Sequence, residues 1–460
     1  MLHSTPMFSI ALLPRTGAIA LFSLLVLMVS STPVFAQAGD AALGTRSYDD
    51  YETPGVCGEC HIDIYRQWEQ TMMSQSFTHK WDEVEYFKLA LPHALKDEKV
   101  AGVKAGCNGC HAPLAFLAGD IPPSRPAENT RANEGVSCEI CHTVAGFEGD
   151  IPHNFNWITQ PGDVKFGPRA EVDPGAHEGQ LSDFLGTAEF CGTCHNEMSP
   201  YNVWVKSTHL EWKEGPYSKE GVKCQDCHMT YAHGTTVDDG TVYPDARQHI
   251  FHGAHNQDKI KGTIELSIHP DVREVKPGET VKMTVALFNQ KAGHEFPSGS
   301  VEDRIVWLDV VATDAAGRTY HLKVDPKGFE GEEYTIATEA LAYQDMSIAL
   351  DDPNFAGVQR DGVPVGDRIF RMAYFDPQGR MTIQQWNTAS LGTDYRLGPR
   401  ETKLETFTWE LPADIATGPM NITATLNYSK LVKPVAEFLG VADEAETVPV
   451  NEHTTALTVL

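Results

Sequence analysis

Two textures of apolar spacing divide this chain of 460 residues. Between residues 42 and 257 apolar positions fall in short groups broken by Gly, Pro and polar residues. The clearest periodicity is at residues 62–76, where Ile64, Trp68 and Met72 recur every fourth position and predict one helix with a single buried face. Beyond Lys261 the period drops to two. Residues 262–269 and 280–287 alternate apolar and polar, 304–313 form a continuous β-type run, and Asp314-Ala-Ala-Gly317 marks a turn before a further strand at 319–324. The alternation returns at residues 406–411, 421–428 and 454–460. Strands that follow one another without intervening helices predict an all-β, immunoglobulin-like sandwich over residues 259–460. Residues 329–398 show no clear period and are expected to be a partly irregular insertion.

The N-terminus adds a third texture. Arg15 precedes an apolar run from Gly17 to Val29, and small residues lead to Val34-Phe35-Ala36. This order of charge, apolar stretch and small-residue site predicts a secretory signal over residues 1–36. The alternative is an uncleaved anchor, for which the run is short against the ~20 residues of a spanning helix. The mature chain is then expected to begin at Gln37, in the periplasm or outside the cell, with no transmembrane segment.

The formal charge is −27. An acidic surface of this size disfavours nucleic acid and anionic membranes as partners and favours a basic docking surface on a redox protein. It also serves solubility alone. The length suits two domains after the signal, residues 37–258 and 259–460.

The cysteines define the chemistry of the first of these. All ten lie in five Cys-x-x-Cys-His motifs: Cys57/Cys60/His61, Cys107/Cys110/His111, Cys138/Cys141/His142, Cys191/Cys194/His195 and Cys224/Cys227/His228. This is the attachment pattern of c-type haem, two thiols for thioether bonds and an adjacent imidazole as proximal iron ligand. Zinc ribbons or disulfides do not call for a histidine at that position five times over. The expectation is five covalently attached haems, packed closely enough to serve as the core of residues 37–258, a mainly α and irregular domain that depends on them to fold.

First cysteines are 50, 31, 53 and 33 residues apart, a long–short alternation that reads as an internal duplication. The first and fourth motifs are both Cys-Gly-x-Cys-His, and Glu134-Gly-Val-Ser-Cys138 is echoed by Glu220-Gly-Val-Lys-Cys224. Equating Trp68 with Trp204 places Met73 opposite His209, each five residues further on.

Three segments, Trp68-Glu-Gln-Thr-Met-Met, Lys206-Ser-Thr-His-Leu-Glu-Trp and Gly221-Val-Lys-Cys-Gln-Asp-Cys-His-Met, resemble the multihaem family of the tetrahaem cytochrome c of ammonia oxidisers. That group is akin to hydroxylamine oxidoreductase and pentahaem nitrite reductase. The resemblance spans roughly residues 51–256 and implies haems packed in parallel and perpendicular pairs. It also implies a histidine five residues after the tryptophan, where this chain has Met73.

Fourteen histidines lie outside the motifs. As distal ligands the sequence offers His209, then His249 and His255 from the cluster that also holds His252, then His153, with His177, His93 and His79 behind them. In the β region, Ala292-Gly-His294-Glu-Phe-Pro-Ser-Gly299 resembles a loop of multihaem cytochromes with a C-terminal β domain, and His294 is expected to cap a haem of the first domain. Met73 is a further candidate, since a thioether raises the potential relative to a second imidazole. Core packing is its alternative role. His269, His321 and His453 have no such context.

Electron transfer is the favoured function, because packed haems with both axial positions filled bind no substrate. If one distal position is open, the chain becomes an oxidoreductase for a small nitrogen compound such as nitrite or hydroxylamine. The Cys-x-x-Cys-Lys motif of pentahaem nitrite reductases is absent. A third possibility is a homo-oligomer or haem-lined filament.

Overall fold

Short helices carry the cysteine motifs in the computed structural model, which describes residues 42–170, 175–325, 363–364 and 366–460. The expected signal segment, residues 1–36, lies outside them. The first motif opens in α1 (Pro54–Gly58), started by a proline whose missing N–H costs nothing there, and its His61 caps α2 (Ile62–Glu69). The other four each end a helix on the motif histidine: α3 (Val103–His111), α4 (Cys138–His142), α5 (Ala188–His195) and α7 (Cys224–His228). Between the last two lies α6 (Thr208–Glu214).

The helix expected over residues 62–76 stops at Glu69. The Thr71 hydroxyl donates to the Trp68 carbonyl at 2.7 Å and the Ser74 hydroxyl to the Glu69 carbonyl at 2.8 Å. Side chains thus take the carbonyls that further helical N–H groups would need.

Nine strands of the second half form two sheets. They are β1 (Ile264–Pro270), β2 (Glu274–Val275), β3 (Thr280–Asn289), β4 (Ile305–Thr313), β5 (Thr319–Leu322), β6 (Arg368–Phe370), β7 (Thr402–Glu410), β8 (Gly418–Ser429) and β9 (Thr447–Val459). One sheet runs β2-β9-β8-β4-β5, with β6 also paired to β4, and the other runs β7-β3-β1. All pairs are antiparallel except β2 with β9. Alternate residues of β3, Val281, Met283, Val285 and Leu287, share one core with Leu308 and Val310 of β4 and Ile422 and Leu426 of β8. The two sheets therefore bury one face each against a common layer. The turn at 314–317 forms as expected: Asp314 Oδ1 accepts from the Ala316 and Arg318 N–H groups at 3.0 Å, and Gly317 takes φ 80°.

The described part of the expected insertion is ordered into the core. Beyond β6 it supplies a hairpin of Met372–Phe375 with Ser390–Asp394, and Tyr374 and Trp386 are buried. Much of that burial is against the first half. Trp81 packs with Ile305, Trp307 and Ile383; Tyr86 and Val103 with Trp386; Val205 with Val301 and Tyr374. The first half also has a core of its own around Leu114, Phe116, Phe155 and Trp157. Among the described residues, side chains from before and after residue 258 thus share the cores around Trp81, Tyr86 and Val205. Among the described residues no helix is long and apolar enough to cross a membrane.

Candidate functional site

No motif cysteine is in a disulfide, yet thiols of different motifs meet. Cys57 interacts with Cys138, Cys110 with Cys194 and Cys191 with Cys224, and Cys141 adjoins Cys194. The fourth motif thus touches the second and fifth and adjoins the third, which in turn touches the first.

The sequence expects every motif cysteine to attach haem. Cys60 is exposed, and Cys227 is half-buried like the other eight. What the structure fixes at both is the backbone: the Cys60 carbonyl accepts from the Asp238 N–H at 2.8 Å, and the Cys227 carbonyl from Lys259 Nζ. Their part in attachment therefore rests on the motif itself, each thiol standing one residue before a proximal histidine, His61 or His228.

Four of the five motif histidines are oriented by backbone carbonyls. Nδ1 of His111 faces the Ser76 carbonyl at 2.9 Å, that of His142 faces Phe166 at 2.7 Å, and that of His228 faces His252 at 2.7 Å; His61 faces Thr236 in the same way. A carbonyl only accepts, so Nδ1 carries the proton and Nε2 keeps the lone pair, the tautomer of a metal ligand. His177, His249, His294 and His153 show the same pattern, to Glu178, Arg247, Glu295 and Ile151 at 2.8–3.1 Å.

Three of these distal candidates stand opposite motif histidines at nearly one spacing. Ring centres of His61 and His177 are 6.3 Å apart, those of His142 and His249 6.3 Å, and those of His228 and His294 6.4 Å, with planes 32°, 24° and 16° apart. Two imidazoles bound end-on to one metal at about 2.0–2.1 Å each place their ring centres ~6.4 Å apart. Burial, helped by neighbouring imidazoles or cations, pushes His228 and His249 down to about 4 and also lowers His142 and His294, keeping them neutral. The residues therefore fit haem iron held between two imidazoles at the first, third and fifth motifs.

Among the described residues no second imidazole stands at that spacing from His111 or His195. The protein around His195, with the charges of His294 and Lys206, pushes it down to about 4. His255 packs edge-on to His79 at 5.5 Å, and His79 Nε2 meets Glu444 at 2.9 Å. His153 leans on Trp204, with ring centres 5.3 Å apart. His93 Nδ1 accepts from the Trp386 indole at 3.1 Å, which puts its proton on Nε2.

His209, expected as a distal ligand, is only 2 % exposed and packs against α5, over Gly192, where an added Cβ would come within 2.8 Å of its Cγ. Its Nδ1 meets the Asn196 amide at 3.0 Å, and its Nε2 is buried without a hydrogen-bond partner.

The duplication is real, but its register is corrected. The Trp68 indole donates to the Val136 carbonyl at 2.9 Å and the Trp212 indole to Val222 at 2.8 Å. Tyr65 covers Gly58 as His209 covers Gly192. The Val136 N–H donates to the Met73 carbonyl at 2.9 Å, and the Val222 N–H to Tyr217 at 3.0 Å. Trp68 therefore corresponds to Trp212, His209 to Tyr65 and Met73 to Tyr217. The sequence alignment slipped because His195 to Trp212 is ten residues longer than His61 to Trp68, the length being taken up largely by the hairpin Glu197–Met198 with Trp204–Lys206. The sequence ranks His177 low because its stretch is aperiodic; it lies one residue before the strand Glu178–Leu181, which pairs in parallel with Val164–Gly167, and there its ring meets that of His61.

Comparisons with known proteins agree with this geometry. Residues 56–143 match the family described as cytochrome c554 and c-prime, and residues 179–268 match the N-terminal region of the NapC/NirT cytochrome c family. The penta-heme cytochrome c552 from Thermochromatium tepidum is similar in fold, with TM-score 0.59 and 20% identity, covering 89% of this chain and 99% of that one. Spo0M, the sporulation control protein of Bacillus subtilis, aligns at TM-score 0.16 and 10% identity over 43% of this chain and 49% of its own, too slight a likeness to bear on the fold. No curated protein sequence matches the chain. The matched families and the shared fold support a multihaem c-type cytochrome with covalently bound haem, built for electron transfer. Kinship with hydroxylamine oxidoreductase finds no match among them.

Proposed function

We propose that the chain carries five haems, one per motif, and passes electrons among them to redox partners outside the cytoplasm. The observation that carries this reading is the trio of facing imidazoles, His61/His177, His142/His249 and His228/His294. Haem supplies reversible one-electron iron chemistry at each motif. The chain supplies the thiols that anchor it and carbonyls that fix the imidazoles of His61, His111, His142 and His228. Thiol contacts between motifs support close spacing of the attachment points.

In this reading the immunoglobulin-like β region is a working part of the array, because it contributes His294 to the fifth motif. Its loop is held by buried Arg396, which bonds the Pro297 carbonyl and, at 2.7 Å, Glu211 of α6. The acidic surface suits a partner with a basic docking face. The signal-like N-terminus and haem attachment both fit an extracytoplasmic location.

A second reading rests on the second and fourth motifs, which have no facing imidazole among the described residues. An open position there would make the chain an oxidoreductase for a small nitrogen compound. His153, His255 and Met73 are the remaining candidates to close it. Low-temperature EPR of the oxidised, haem-loaded protein, with and without cyanide or nitrite, separates the two. Low-spin signals that ignore added ligand support the carrier and exclude the enzyme. A high-spin signal that shifts on ligand addition selects the enzyme instead.

A further inference from the structure

Between the second and fourth motifs the protein buries more negative charge than it pairs. Glu302 and Asp303, just ahead of β4, are each 2 % exposed, and Glu85 reaches in from the helix Lys80–Glu85. Both Glu302 carboxylate oxygens, Asp303 Oδ1 and Glu85 Oε1 are buried without a hydrogen-bond partner. The backbone beneath them is fixed, with the Glu302 carbonyl bonded by Arg371 and the Asp303 carbonyl by the Val432 N–H. The side chains therefore cannot swing out to solvent without breaking that frame.

Cations facing this cluster are fewer than its acids. From the strand pair behind it comes Lys206, bonded to Glu197 at 2.6 Å, and from the same loop Arg304, whose Nε is itself buried and unpartnered. Asp82 adds a further negative charge from the helix of Glu85, and Tyr374 faces Glu302 from its hairpin. Lys206 and Arg304 thus face four carboxylates, Glu85, Glu197, Glu302 and Asp303, while Asp82 meets His79 at 2.8 Å and His111 at 3.5 Å, and the Arg371 guanidinium is engaged at the backbone below. An unpaired carboxylate in a dry interior is costly as an anion and takes a proton instead. Burial and mutual repulsion push Glu85 up to about 8 and Asp303 well above its usual range, while burial pushes Glu302 up to about 7.

The cluster also lies within electrostatic reach of two attachment sites. Cys107 interacts with Glu85, Glu197 and Lys206, Cys110 with Glu197 and Lys206, and His195 with Lys206 and Arg304. Taken with the electron-transfer reading, on which this inference rests, we propose that Glu85, Glu302 and Asp303 form a proton-binding site coupled to electron arrival at the second and fourth motifs. Each ferric iron that accepts one electron there becomes ferrous. One carboxylate of the cluster takes up one proton from solvent to become a carboxylic acid, so the added negative charge is offset inside the protein. No bond to iron forms or breaks.

The test is potentiometric titration of the haem-loaded protein between about pH 6 and pH 9. In the parent, at least one haem potential should fall as pH rises, with a limit of tenfold per pH unit, or about 59 mV for a one-electron couple. Glu302→Gln and Asp303→Asn should flatten that slope, and Glu85→Gln should reduce it. Redox-difference infrared spectra should show a protonated carboxyl band that appears on reduction in the parent and is lost in the variants. A flat parent profile overturns the proposal, as does a slope unchanged in all three variants, which would assign the proton to haem propionates. A protein that holds no covalent haem overturns the underlying reading instead.

Discussion

Trp212 repeats Trp68: each indole donates to the carbonyl of the valine two residues before a motif cysteine, at 2.8 and 2.9 Å. The pair fixes which parts of the two halves of the haem region correspond, and it does so through hydrogen bonds that the motif spacing alone does not reveal. Replacing either tryptophan by Phe removes the donor and leaves a part-buried carbonyl unpaired, at a cost of about 1 kcal/mol. Thermal unfolding of the two variants should show similar losses.

The register also separates two histidines that the sequence ranks together. His294→Ala should convert one low-spin haem to high-spin in the EPR spectrum of the oxidised protein. His209→Ala should leave the number of low-spin centres unchanged while lowering stability, since His209 packs on α5 with its Nδ1 already engaged by Asn196. A new high-spin signal in His209→Ala would restore it as a ligand.

Gly192 has His209 and Pro152 both 2.8 Å from where a Cβ would stand. Gly192→Ala must push a ring off the fourth-motif helix, so a loss of ~1–3 kcal/mol is expected by the usual cost of overpacking. Gly186→Ala, at a site with nothing within 4 Å, is the control. Denaturant midpoints of the two haem-loaded variants would show the difference.

Arg396 is 4 % exposed, and it pairs with Glu211, 8 % exposed, and with Asp394. Arg396→Met strands the Glu211 charge and should cost ~3–5 kcal/mol, the range for a broken buried pair. Because the same guanidinium bonds the Pro297 carbonyl of the His294 loop, the variant should also weaken ligation at the fifth motif. The two effects are read by unfolding and by visible spectra of the same sample.

The buried carboxylates set a pH dependence of stability with a definite sign. Glu302 titrates at about 7 when folded, against ~4.3 for an unfolded Glu. Over that window the folded state holds more protons than the unfolded state, so stability falls as pH rises. Glu302→Gln removes its share of this dependence, leaving those of Glu85 and Asp303. The variant should gain on the parent between about pH 5 and pH 8, as followed by unfolding midpoints across that range.

Much of this was legible in the sequence. Period-two alternation located the long strands, because a face buried in a two-sheet layer must repeat every second residue; residues 280–287 lie in β3 and 421–428 in β8. The end of α2 was not legible from apolar spacing, because hydroxyls of Thr71 and Ser74 decide it. Nor was the core role of Tyr374 and Trp386, whose burial depends on partners far away in the chain. The motifs announced the cysteines and their adjacent histidines. Nothing local marked His177, and the Trp204 alignment misled because an inserted hairpin preserved a tryptophan at a plausible distance.

The thiol contacts have a consequence for how the array tolerates damage. Cys194 meets Cys110, Cys191 meets Cys224, and Cys141 adjoins Cys194. A linear file of sites can lose either end and keep its middle continuous. With a haem at every motif, as proposed, three branches would meet at one crossing, so a lesion at the first, second or fifth motif would prune a single limb, whereas a lesion at the fourth would leave every limb a dead end.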